Sequence, residues 1–192
     1  MMSVKNMFFI LFAFCLLTGC KEKALSHRES VYKYYNARNT GNYKELKTLI
    51  HDSITLISGD YVMPYNLDSF YGQFKWDSIF RSSYEVIELE ESNNQIIVTI
   101  AQNNMRNTFL KNNPLVYLQK ISFTSGKISK IEELESIGAN WNIWNKEKDA
   151  LVDWIKNNHP ELDGFSNDMT MNGAINYLKA IRLYETDKNA HD

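Results

Sequence analysis

Asn39-Thr40-Gly41-Asn42-Tyr43-Lys44-Glu45-Leu46 reads as the end of one helix and the start of the next. Glycine tolerates the left-handed conformation that closes a helix. Asn42 and Glu45 then stand at capping-box spacing, which restarts one. Upstream, Ser26-His27-Arg28-Glu29 forms another such box, and Val31, Tyr34 and Tyr35 follow at i, i+3, i+4. The spacing predicts a helix over 27–39 with one apolar face. Downstream, Leu46, Leu49 and Ile50 give the second helix its buried side, ending near His51. The period then changes. Ile54, Leu56 and Ile57 form a β-type run that stops at Ser58-Gly59-Asp60, and Tyr61-Val62-Met63 pairs back across that turn. Pro64 is expected to end regular structure. Leu67, Phe70, Tyr71 and Phe74 return to helical spacing over 67–80, with Gly72 a weak point inside it.

From Ser83 the pattern is β. Strands are expected at 84–89, 95–102, 115–123 and 128–134, with 103–109 extending the second. The tip Thr124-Ser125-Gly126-Lys127 joins the last two as an antiparallel hairpin. After Gly138 the chain turns helical again. Trp141, Trp144, Leu151, Trp154 and Ile155 share a stripe that ends at Pro160. A last helix, about 168–185, carries Met171, Ile175, Leu178 and Ile181. Helices followed by a run of antiparallel strands make the class α+β.

The order and spacing of three stretches resemble the nuclear transport factor 2-like superfamily, with its SnoaL-like and ketosteroid-isomerase-like members. They are 39–46, His51-Asp52-Ser53-Ile54-Thr55-Leu56, and Ile121-Ser122-Phe123-Thr124-Ser125-Gly126-Lys127-Ile128. The likeness spans 26–135 and leaves 136–192 as a C-terminal helical extension. It implies a cone: a bent antiparallel sheet wrapped on the N-terminal helices, enclosing an apolar cavity. Tyr34, Tyr35, Tyr61, Phe70, Phe74, Trp76, Met105 and Tyr117 are its candidate lining. Aromatics make up 13% of the chain, enough for a core or for an apolar ligand pocket. A cavity below about 300 Å³, too small for typical ligands, would count heavily against binding.

In the isomerases of this fold a tyrosine donor lies seven residues before the glycine break, where this chain has Tyr34. Their carboxylate base lies on the first strand, where this chain has Ile57-Ser58. Asp60 and Asp52 are the nearest substitutes. With half of that pair missing and no Gly-x-Ser-x-Gly elbow present, no catalytic residue is assigned and an enzyme is disfavoured. The expected function is a non-catalytic module for a small apolar ligand. Its rival is a structural protein that docks a second copy or an envelope partner through the sheet face or the tryptophan-bearing C-terminal helices.

The remaining signals concern location. Leu17-Thr18-Gly19-Cys20 closes a run of eleven apolar residues, Met7 to Leu17, behind Lys5. That is the layout of a secretory signal over 1–19. Eleven residues rise only about 16 Å as a helix, against a hydrocarbon core of about 30 Å. The four residues resemble a bacterial lipobox. The resemblance implies cleavage before Cys20, a lipid on its sulfur, and a short tether over 20–25. The chain is then expected at the cell envelope, anchored in the outer membrane on its periplasmic or its surface face. Cys15 falls in the discarded segment and Cys20 takes the lipid, so neither thiol is left for a disulfide or a nucleophile. His27, His51, His159 and His191 are scattered, and neither metal nor cofactor is expected. With 21 basic against 23 acidic residues the chain lacks the charge excess that nucleic-acid binding requires.

Overall fold

A computed structural model describes residues 25–191. The apolar run at 7–17 and the lipobox cysteine Cys20 lie outside the described residues. No helix among those described is long and apolar enough to cross a membrane.

Helix α1 (His27–Asn39) opens on the Ser26–Glu29 capping box and α2 (Tyr43–Leu49) on Asn42, whose side chain accepts from the Glu45 N–H. Between them Gly41 has φ of 67°, the left-handed turn that the sequence demanded. Strands β1 (Ile50–Ser58) and β2 (Tyr61–Asn66) form a hairpin, and α3 (Leu67–Ile79) follows without a break at Gly72. Then come β3 (Ser83–Ser92), β4 (Gln95–Asn103), the short α4 (Met105–Phe109), β5 (Leu115–Thr124) and β6 (Lys127–Ile137). Helix α5 (Trp141–Asn158), two 3-10 turns and α6 (Met171–His191) complete the described chain.

The six strands form one sheet in the order β2-β1-β6-β5-β4-β3. All neighbours are antiparallel except β1 and β6, which run parallel. Along β4, Ile96, Val98 and Ile100 alternate inward and are fully buried. With Tyr117, Ile121 and Ile128 from the neighbouring strands they meet the apolar faces of α1, α2 and α3 in one core. This is the helix-filled cone, with the sheet as its wall.

A second core lies behind α3. Phe80, Phe109 and Leu110 pack there against Leu151 and Ile155 of α5 and a stripe of α6. That stripe is Ala174, Tyr177, Leu178 and Ile181, at i, i+3, i+4, i+7. Helix α3 therefore serves both cores: Phe70 and Phe74 face the first, and Trp76 and Ile79 pack on the second.

Three local expectations need correction. Pro64 does not stop β2, which runs two residues beyond it, paired with β1. It is tolerated because β2 is an edge strand, where a missing N–H forfeits no ladder bond on the open side. Beyond Asn103 the segment does not extend β4. Asn104 caps a helical turn instead, its Oδ1 accepting from the Asn107 N–H at 2.7 Å. The last helix starts at Met171 rather than 168.

Candidate functional site

Helix α1 presents Tyr34, Tyr35 and Arg38 to the inside of the cone, and α3 presents Gln73, Trp76 and Asp77 opposite them. Arg38 continues the stripe of Val31 and Tyr34, and Asp77 continues that of Phe70 and Phe74. Each is a charged residue where the helical period calls for an apolar one. They meet as an ion pair, Arg38 Nη2 to Asp77 Oδ2 at 3.2 Å, with both side chains about nine-tenths buried.

Further hydrogen bonds fix the pair. Arg38 Nη1 donates to the Tyr34 hydroxyl at 2.7 Å and Nη2 to Gln73 Oε1 at 3.2 Å. Asp77 Oδ1 accepts from Ser82 Oγ at 2.8 Å and Gln102 Nε2 at 3.3 Å. Its Oδ2 accepts from the Tyr84 hydroxyl at 2.7 Å. Tyr84 is held by Asn39, whose side-chain amide bonds both the N–H and the C=O of its backbone. Four donors thus converge on one carboxylate, which a buried charge needs to remain in place.

Beside this network lies a pocket of about 260 Å³. Strands β1 and β6 supply Ile57, Ser58, Ile131 and Glu133, and β5 supplies Tyr117 and Gln119. Arg106 of α4 and Met169, which precedes α6, close it. Glu133 accepts from the Ser58 hydroxyl at 3.1 Å and the Ser136 hydroxyl at 3.2 Å. The walls that the resemblance implied as apolar are about half polar. An adjoining groove of about 390 Å³ shares Gln73, Trp76 and Met169 with the pocket, and adds Tyr65, Gly72 and Met171.

Burial pushes the hydroxyls of Tyr35 and Tyr117 well above the usual tyrosine range. It also raises Tyr34, partly offset by the Arg38 charge, and raises Tyr84 strongly. Burial opposes the Arg38 charge too, but Tyr34, Tyr84 and Asp77 more than offset it and the group stays protonated. Arg38 Nε, Trp76 Nε1 and Arg106 Nε are sealed from solvent with no acceptor among the described residues. Among those residues no group of three or more histidine, cysteine or acidic side chains is placed to hold a metal ion.

Of the eight residues expected as lining, Tyr34, Tyr35, Trp76 and Tyr117 border the pocket. The other four lie elsewhere. Phe70 and Phe74 fill the first core, Met105 packs on the second, and Tyr61 stands 75% exposed on the edge strand. Asp52 and Asp60 are exposed and border no part of the pocket. Trp144 and Trp154 pack on the second core, whereas Trp141 is 44% exposed. Sequence reasoning missed Arg38, Asp77 and Arg106. The first two carried a signal, a charge at i+7 on an apolar stripe. Arg106 carried none once its segment was read as a strand.

No family model matches the sequence, and no curated protein matches it. Solved structures match it in shape. Bal32a, from a soil-derived mobile gene cassette, is 15% identical over 62% of this chain and 93% of that one, with a TM-score of 0.51. An NTF2-like protein from Cytophaga hutchinsonii is 14% identical over 59% of this chain and 92% of that one, with a TM-score of 0.49. A protein with a ketosteroid isomerase-like fold from Catenulispora acidiphila is 12% identical over 58% and 88%, with a TM-score of 0.47. The chain has the nuclear transport factor 2-like fold, followed by C-terminal helices. Likeness at these identities fixes the fold and nothing finer.

Proposed function

We propose that this chain is a lipid-tethered, non-catalytic binding module that takes a small polar or amphiphilic molecule in the pocket between α1, α3 and the sheet. The observation that carries this is the state of Asp77. Of the two carboxylates that border the pocket it is the buried one, with four donors on its oxygens, and the other, Glu133, accepts from two serine hydroxyls. A general base needs a lone pair free to take a proton from a substrate. Asp52 and Asp60 border no part of the pocket, so neither stands beside Tyr34 as a base. What the pocket retains is space walled by positioned donors and acceptors, which suits recognition.

At about 260 Å³ the pocket alone falls short of the roughly 300–1,000 Å³ that drug-sized ligands occupy. The ligand is therefore small, or it extends into the adjoining groove. The tether follows from the lipobox resemblance at Cys20. Two acyl chains or more give lasting attachment.

Mass spectrometry of the full chain extracted from membranes tests both parts. Intact mass is expected to show acyl chains on a polypeptide that begins at Cys20. Native spectra are expected to show one small molecule retained per chain. An unmodified N-terminus removes the tether, and a bare chain under native conditions counts against the module.

A further inference from the structure

Among the described residues Arg106 has no ion-pair partner. Its guanidinium lies over the rings of Trp76 at 5.0 Å, Trp144 at 5.4 Å and Phe80 at 5.6 Å. Among the described residues it forms no ion pair and donates no hydrogen bond. Nε is sealed, whereas the two terminal nitrogens are neither sealed nor bonded, and the side chain borders the pocket. Burial pulls its pKa down, against the opposing pull of Tyr177, Asp77 and Tyr84. Of the other charges of the pocket, Arg38 is paired with Asp77, and Glu133 accepts from two serine hydroxyls without a cation beside it among the described residues. A guanidinium held rigid by aromatic faces, with its terminal donors free, is preorganised for a planar oxyanion.

Trp76, on which Arg106 rests most closely, is also the wall shared by the pocket and the groove. Beyond it the groove is mainly apolar: Tyr65, Met169, Met171 and the bare backbone of Gly72. A side chain at Gly72 would meet nothing within 4 Å, so this glycine leaves open space rather than relieving a clash. The methionines, flexible and polarisable, suit an apolar chain of no fixed shape. Asp77 and Glu133 disfavour a second negative charge in the pocket.

From this geometry we infer that the ligand is a monoanionic amphiphile, an aliphatic monocarboxylate in its simplest form. Its acid group sits on the terminal nitrogens of Arg106, and its chain passes Trp76 into the groove. The inference rests on the binding function proposed above and narrows it to a ligand class.

Isothermal titration calorimetry on the full chain at neutral pH, with octanoate, acetate, octanol and octylammonium as probes, tests it. Octanoate is expected to bind once per chain, at least about tenfold more tightly than acetate or octanol, with octylammonium weakest. Arg106→Gln should weaken octanoate about tenfold or more and leave octanol unchanged. Gly72→Leu, at a position that borders the groove and where a Cβ meets nothing within 4 Å, narrows the groove. It should abolish the advantage of octanoate over acetate even if the Arg106 variant folds poorly. Octanol or octylammonium binding as tightly as octanoate overturns the acid-head assignment but leaves a binding module standing. So does a neutral or cationic molecule found on the chain by native mass spectrometry. Failure of all four probes, together with a bare chain in native spectra, overturns both.

Discussion

Asp77 and Arg38 hold each other in a setting that neither would tolerate alone. Removing one partner of a buried pair leaves an uncompensated charge, at a cost of about 3–5 kcal/mol. Asp77→Ala is therefore expected to lower unfolding free energy by that amount in urea titrations, whereas Asp52→Ala, at an exposed position, should change it by less than about 0.5 kcal/mol. The buried tyrosines make a second prediction. In the unfolded chain they ionise near pH 10. Burial raises Tyr34, Tyr35, Tyr84 and Tyr117 in the fold. Their contribution is complete below pH 10 and is lost as pH rises above it, because the unfolded state then releases protons that the fold retains. Absorbance of phenolate should thus rise for these four only together with loss of the circular dichroism of the fold. At this scale the sequence was half legible. Tyr34 and Tyr35 announced themselves by spacing. Arg38 and Asp77 sat on the same stripes, but a charge at an apolar position is read as solvent-facing until its partner on another helix is known.

Elements were more legible than residues, because periodicity survives without tertiary knowledge. The Ser26–Glu29 capping box, the Asn42 cap, the glycine break and the last hairpin fall where their side chains require, although Glu45 does not close a box with the Asn42 backbone. The misses have local causes. Pro64 looks like a terminator unless the strand is known to be at an edge, and Asn104 looks like strand polarity unless its side chain is known to cap. Gly72 is the informative case. Helix α3 passes through it unbroken, although glycine inside a helix is worth roughly 0.5–1 kcal/mol less than alanine. Open space surrounds its absent side chain. Gly72→Ala is accordingly expected to stabilise the protein by about that amount, a rise of roughly 1–4 °C in Tm by calorimetry. No rise would mean that the helix is strained there or that the alanine methyl is not accommodated.

On the scale of the whole molecule, α5 and α6 are the other half of a shared core. They cover Phe80, Phe109 and Leu110 and bury Leu151, Ile155, Tyr177, Leu178 and Ile181 in doing so. Each such side chain contributes on the order of 1.5–3 kcal/mol, so together they are comparable to the whole margin of roughly 5–15 kcal/mol of a typical domain. A chain ending at residue 138 is expected to lose cooperative unfolding and to bind an apolar dye. A cooperative melt close to that of the full chain would show the cone to be self-sufficient. The cone was legible because long hairpins and helix order constrain topology. The polarity of its pocket was not, since it arises where residues from nine elements converge.

The central claim is that the space beside Arg106 and Trp76 is a binding site. A crystal structure of the full chain extracted from membranes, without added ligand, tests it most directly. It is expected to show one molecule in the pocket, an acidic end within hydrogen-bond reach of the Arg106 terminal nitrogens and an apolar end beside Trp76. A pocket closed by its own side chains, or holding only ordered water, would contradict it.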